Sequence, residues 1–328
     1  MAVALHLIRI ARRNKRKINK LTYLKLYHSL IKITIVSVCL VICAGGFVRM
    51  TGSGMGCPDW PKCFGYWIPP TDVSQLPLDY KEQYSERGYD KLDFNVFNTW
   101  TEYVNRLLGA LAGFFCLGLL IISIFISNTR LILFSFFLVL LMGFQGWMGA
   151  QVVASVLSPY KITIHYLIAL FILSLLFFMY RSTLPIAKDT LISINKKVLL
   201  FGIFISISQI VLGTQVRESV DQLLISYDRI SIISHLPITF EYHRTMAWLV
   251  LVSNIAILFS HRILIKNLVE LKIIILAISV LVLTGWLMTK QSLIPLCQLM
   301  HVICAVSLFI CQLSIFLRYF NLAIVKSP

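Results

Sequence analysis

EYVNRLLGALAGFFCLGLLIISIF, residues 102–125, places a short polar tetrad in front of an apolar run that carries no charge beyond Arg106. A hydrocarbon layer about 30 Å thick needs roughly 20 such residues in a helix, so this stretch reads as a membrane span. The pattern returns at 241–259 as EYHRTMAWLVLVSNIAILF, with His243 where the first copy has Asn105. Further runs of the same kind lie at 29–50, 131–153, 162–180, 198–216, 271–289 and 295–317, and the two tetrad-led runs fall at 98–126 and 242–260. The chain therefore reads as an all-α membrane protein with eight transmembrane helices.

The composition agrees. Hydrophobic residues make up 58% of the 328 positions and charged residues only 13%, and the mean hydropathy is +0.82, a balance foreign to soluble domains. The net charge of +16 does not point to nucleic acid, because the basic residues lie between the apolar runs rather than along one polar face. They set topology instead. Residues 1–28 carry Arg9, Arg12, Arg13, Lys15, Arg16, Lys17, Lys20 and Lys25 without an acid, and Arg181, Lys188, Lys196, Lys197, Arg262 and Lys266 mark two further basic connections. The positive-inside rule puts these segments, and both termini, in the cytoplasm. The loop 51–97 is acidic on balance, with Asp59, Asp72, Asp79, Glu82, Glu86, Asp90 and Asp93 against Lys62, Lys81, Arg87 and Lys91, so it faces outward. The Arg-rich start resembles a mitochondrial transit peptide but runs into the first span without an evident cleavage signal, which favours a bacterial inner membrane.

Four spans precede the basic connection 181–197 and four follow it, so the halves 29–180 and 198–317 keep one orientation and read as two pseudo-repeated parallel four-helix bundles, with 318–328 as a cytoplasmic tail. Internal echoes support the repeat. GGFVR at 45–49 answers GTQVR at 213–217, and QGWMGAQ at 145–151 answers LTGWLMTKQ at 283–291. Asn105 stands 60 residues before His165, and His243 stands 58 before His301. All four fall a turn or two into outward-to-inward helices, which predicts one polar site per half near the outer surface.

An ionisable group in a membrane helix is a functional hypothesis by default, although a lone His also serves as an interhelix hydrogen bonder. Facing imidazoles across a four-helix unit hold a haem iron by two axial nitrogens. Zinc fits less well, because no carboxylate or Cys shares the register of His243 and His301. Arg49, Arg106, Arg217 and Arg244 stand where they either pair with haem propionates or reach lipid phosphates. Cys57 and Cys63 lie in a Gly-, Pro- and aromatic-rich stretch facing an oxidising side, where a disulfide is permitted as a structural bond or as a redox couple.

GGFVRMTGSGMGCPDWPKCFG, EYVNRLLG, HYLIAL, EYHRTMAW and QLMHVICA together resemble the heme A synthase family, over about residues 35–317. The resemblance implies oxidation of the C8 methyl of heme O to a formyl group, giving heme A for terminal oxidases. It implies heme b between His243 and His301, the substrate haem near His165, a catalytic role for Glu102 and a disulfide between Cys57 and Cys63. A heme O synthase and oxidase assembly factors are the partners it suggests, beside the bilayer itself. The family motif has His where this chain has Asn105. One reading is a substrate haem held by His165 alone or exchangeably, with Asn105, Glu102 and Arg106 around it. The other makes Asn105 a packing residue. Three-residue spacing puts Glu102 and Asn105 on one helix face, whereas Glu241 and His243 are two apart. A non-catalytic di-haem b-type cytochrome is the alternative function.

Overall fold

A computed structural model describes residues 2–184, 195–224, 226–229, 231–262, 268–290 and 293–319, the side chains of residues 2–19, 159 and 319 excepted. The helices are α1 (Ala2–Met50), a single turn α2 (Tyr80–Gln83), α3 (Val96–Ile126), α4 (Thr129–Ala154), α5 (Pro159–Ser182), α6 (Lys196–Leu223), α7 (Ile238–Ser260), α8 (Val269–Lys290) and α9 (Pro295–Tyr319). Among the described residues eight of these, all but α2, are long and apolar enough to cross a membrane. Most of the connection expected at 181–197, with Lys188, and the tail beyond Tyr319 lie outside the described residues, as does Lys266.

Helix ends follow local chemistry. Asn95, Asn128 and Asn195 cap α3, α4 and α6, each accepting the N–H three residues on (3.0, 3.2 and 3.4 Å). Pro159 opens α5, where its missing N–H costs nothing. Two boundaries differ from the sequence reading. The basic leader is continuous with the first span, because no Gly or Pro interrupts residues 2–44. Helix α6 runs past residue 216 to Leu223, which brings Glu218 into the helix and sets Asp221 one turn beyond Arg217 on the same face.

Packing follows the same order in each half. Helix α1 packs on α3 and α5, and α4 lies against both α3 and α5; α6 packs on α7 and α9, and α8 lies against α9. The halves meet through α1, α5, α6 and α9. One core cluster, which includes Tyr27, Ile31, Leu119, Leu138 and Leu173, takes in Ile210 and Phe309 from the second half. A second joins Leu199, Ile257, Leu271, Ile274, Leu308 and Ile315. Contact between α7 and α8 is sparse, whereas α3 packs closely along α4.

Residues 51–95 fold over one end of the helices. Phe64, in the left-handed region at φ +53°, is the centre of an aromatic cluster, edge-on to Tyr80, Tyr84, Tyr89 and Phe94 at 5.5–6.1 Å between ring centroids. Cys57 and Cys63 form a disulfide beneath it, with Cα atoms 4.9 Å apart. Gly56 is required by close approach: a Cβ there would stand 2.3 Å from the carbonyl oxygen of Asn98.

Candidate functional site

In the second half, α7 presents His243 and α9 presents His301, with ring centroids 6.3 Å apart and planes inclined at 57°. Glycines on the adjoining helices make room for the rings. A Cβ on Gly213 of α6 would lie 3.1 Å from Cε1 of His243, and one on Gly285 of α8 would lie 3.7 Å from Cε1 of His301. Thr284 Oγ1 donates to the carbonyl of Val280 at 2.7 Å and stands 2.9 Å from His301 Nδ1. A hydroxyl has one proton to give, so it accepts from Nδ1–H, and the lone pair of His301 is left on Nε2. Gln209 donates to the His243 carbonyl at 2.9 Å, and its amide also lies 3.5 Å from the ring Nε2. His243 Nδ1 is buried with no partner among the described residues.

These residues fit a haem held by two axial imidazoles. Their ring centroids, 6.3 Å apart, leave room for one metal ion between the two rings. An orphaned buried ring nitrogen is a group that a ligand would satisfy, and Thr284 fixes the tautomer of the opposite ring in the manner of an outer-shell partner. Among the described residues no group of three or more His, Cys, Asp or Glu side chains is placed to hold a bare metal ion.

The first half repeats part of this arrangement. Gln145 of α4 donates to the His165 carbonyl at 3.0 Å and lies 3.3 Å from its Nε2, His165 Nδ1 is buried and unpaired, and a Cβ on Gly149 would lie 3.5 Å from His165 Cε1. Across the bundle, α3 supplies Asn105, whose Oδ1 is buried without a partner among the described residues. A Cβ on Gly45 of α1 would meet nothing within 4 Å. A cavity of about 450 Å³ between α1 and α3 is lined by Ala44, Phe47, Trp100, Thr101 and Asn105.

Glu102 and Arg106 are engaged elsewhere. Glu102, 4% exposed, accepts the backbone N–H of Gly56 at 2.8 Å and of Cys57 at 3.0 Å on Oε2, and Oε1 receives Arg106 Nε at 3.1 Å and Nη2. Arg106 Nη1 continues to the carbonyls of Asp59 at 2.7 Å and Lys62 at 3.0 Å. The pair thus ties the disulfide loop to α3. Tyr89 closes the same corner by donating to the Met55 carbonyl at 2.6 Å. Burial pushes its phenol pKa upward, and the nearby Glu102 carboxylate adds to the rise. Three-residue spacing left Glu102 and Asn105 within a narrow arc of α3, but the loop amides draw the carboxylate to the loop side.

The other arginines divide. Arg49 and Arg217 share Asp221, at 2.6 and 2.7 Å, and Arg217 also donates to the Arg49 carbonyl at 2.8 Å. Arg217 Nη1 is buried with no partner among the described residues, so it keeps one donor for a ligand. Beside them Thr163 donates to Glu218 at 3.0 Å and meets Thr214 at 2.8 Å. Arg244 pairs with Glu241 at 2.6 Å, both well exposed. The sequence reading did not single out Gln145, Gln209, Thr284, Thr163, Glu218 or Asp221. Gln145, Gly45, Gly213, Thr284 and Gly285 do stand inside the internal echoes, so the echoes were a signal for the shell around the histidines.

Comparison with known proteins bears on the same region. A family model described as cytochrome oxidase assembly protein, COX15-CtaA, matches residues 28–314. The chain is 31% identical over 189 residues to the heme A synthase of Shewanella oneidensis, covering 56% of this chain and 54% of that protein. It is 33% identical over 211 residues to the heme A synthase of Pelagibacter ubique, covering 60% and 61%, and 29% identical over 196 residues to that of Ehrlichia canis, covering 55% and 56%. The matched region spans about half to three-fifths of the length of these relatives. No solved structure matches the chain.

Proposed function

The chain belongs to the COX15-CtaA family of cytochrome oxidase assembly proteins, and from that premise we propose that it is a heme A synthase, an oxidoreductase that converts the C8 methyl of heme O to a formyl group. The observation that carries the reading is the pair of imidazoles of His243 and His301, facing each other at 6.3 Å with glycines behind them. In this proposal they hold heme b, which supplies one-electron transfer when bound. Thr284 and Gln209 orient the two rings.

Heme O is the substrate of the first half, with His165 as its iron ligand. Gln145 anchors the backbone of that histidine, and Asn105 would offer its unpaired carbonyl oxygen to the bound group. Glu102 and Arg106 act as positioning residues that hold the disulfide loop over the site. Arg217, with its spare donor, and Arg49 beside it serve the propionates at the seam of the halves, and Arg244, exposed, serves those on the second-half side. The chain sits in the bacterial inner membrane with residues 51–95 outward and both termini in the cytoplasm, receives heme O from the enzyme that makes it and passes heme A to oxidase assembly.

The test is pigment extraction from protein purified out of cells that make heme O, followed by chromatography with mass detection. Heme b together with heme O or heme A is the expected result. Heme b alone, at two per chain, would replace this reading with a di-haem b-type cytochrome that only transfers electrons.

A further inference from the structure

Each half places a glycine four residues before an arginine on its leading helix: Gly45 before Arg49 on α1, and Gly213 before Arg217 on α6. Each also places a site residue just before an arginine on the next membrane helix, Asn105 before Arg106 on α3 and His243 before Arg244 on α7. The leading helices pack on those helices in the same way, α1 on α3 and α6 on α7. In the second half the His243 ring lies against Gly213, 3.1 Å from where a Cβ would be. In the first half a Cβ on Gly45 meets nothing within 4 Å. By the repeat, Asn105 answers His243 and Gly45 answers Gly213; Asn105 has the shorter side chain, and its Oδ1 is buried without a hydrogen-bond partner among the described residues.

We infer that the space between Gly45 and Asn105 is a binding position for a small neutral ligand with an N–H or O–H to donate, an imidazole or a water, on the iron of the haem held by His165. The inference rests on the proposal that heme O binds at His165. Neutrality follows from the surroundings: an apolar helix interface disfavours a charge, and among the described residues a Cβ on Gly45 would meet nothing within 4 Å. A donor is required because the buried amide oxygen is otherwise unsatisfied. The second half has no such position, since His243 fills it.

The test uses the full-length protein loaded with heme O, titrated with imidazole while the visible and electron paramagnetic resonance spectra are followed. The expected result is a saturable conversion of one haem of the two from high-spin to low-spin, with the second unchanged. N-methylimidazole, which lacks the N–H, should bind about tenfold more weakly, the effect of one lost hydrogen bond. Asn105→His should abolish the response with haem content retained. Gly45→Leu approaches the same space from α1 and should abolish it too, which keeps the test sound if the first variant folds poorly. Two low-spin haems with heme O present and no response to imidazole overturn this inference and leave the proposed function standing, as does undiminished binding in Gly45→Leu. Heme b as the sole pigment overturns both.

Discussion

The backbone N–H of Cys57 donates to Glu102 Oε2 at 3.0 Å, so one buried carboxylate joins a disulfide-bonded loop to a membrane helix. Glu102→Ala leaves Arg106 without its partner and two loop amides without an acceptor. Breaking a buried pair of this kind costs about 3–5 kcal/mol. The expected outcome is a lower melting temperature and faster reduction of Cys57–Cys63 by a small thiol, with Glu102→Gln intermediate. A variant as stable and as slowly reduced as the parent would remove the positioning role.

The disulfide itself closes a short loop, with a sequence separation of six residues. In the chain-entropy account such a closure contributes about 2 kcal/mol. Replacing Cys57 and Cys63 by Ala should lower thermal stability by that order while the haem absorbance of the second half persists, because His243 and His301 lie on helices the loop does not build. Loss of that absorbance in the double variant would show that the loop reaches further.

Thr284, whose own proton goes to the Val280 carbonyl, accepts the Nδ1–H of His301 and so leaves the ring's lone pair on Nε2. Thr284→Val should weaken retention of heme b by 10–100-fold, the usual effect of removing an outer-shell partner of a ligating His. Thr284→Ser should restore it. Haem titration of the purified apoprotein measures both.

Gly213 stands close enough to His243 that a Cβ would lie 3.1 Å from Cε1. Gly213→Val therefore forces the ring or the helix aside, at a cost of about 1–3 kcal/mol, and should lower heme b content. Gly45→Ala, at the corresponding place on α1, meets open space and should leave stability and heme b content unchanged. Equal losses from the two would contradict the difference between the halves.

Asp221 serves Arg49 and Arg217 together across the seam of the halves. Asp221→Ala brings two guanidinium groups side by side without their shared acid. Because Asp221 is about one-third exposed, the loss should be modest, about 0.5–1 kcal/mol. It should change with salt, since partly exposed charges are screened. Melting curves at low and high ionic strength check it.

Much of the architecture was legible in the residues. Eight apolar runs marked eight helices, all of which the structure keeps as spans. The histidine spacing singled out His243 and His301, whose ring centroids the structure brings to 6.3 Å. The end of α6 was not legible: Glu218 and Asp221 are polar and looked like loop, but their partners Thr163, Arg49 and Arg217 keep them in the helix. Gln145, Gln209 and Thr284 escaped notice because a polar residue in an apolar run names no partner until the neighbouring helix is placed.

The sequence by itself determined the class of the molecule and its spans, because burial in hydrocarbon leaves the backbone of a lone segment no choice but the helix. Only the tertiary structure decided what each side chain serves. Glu102 shares an arc of α3 with Asn105, yet the fold of residues 55–63 offers it two amides and Arg106, and a buried carboxylate goes where its hydrogen bonds are satisfied. Asn105 and His243 occupy matching places in two nearly identical motifs. A Cβ on Gly213 would meet the His243 ring, whereas one on Gly45 would meet nothing within 4 Å, a difference between helices that no single stretch of sequence contains.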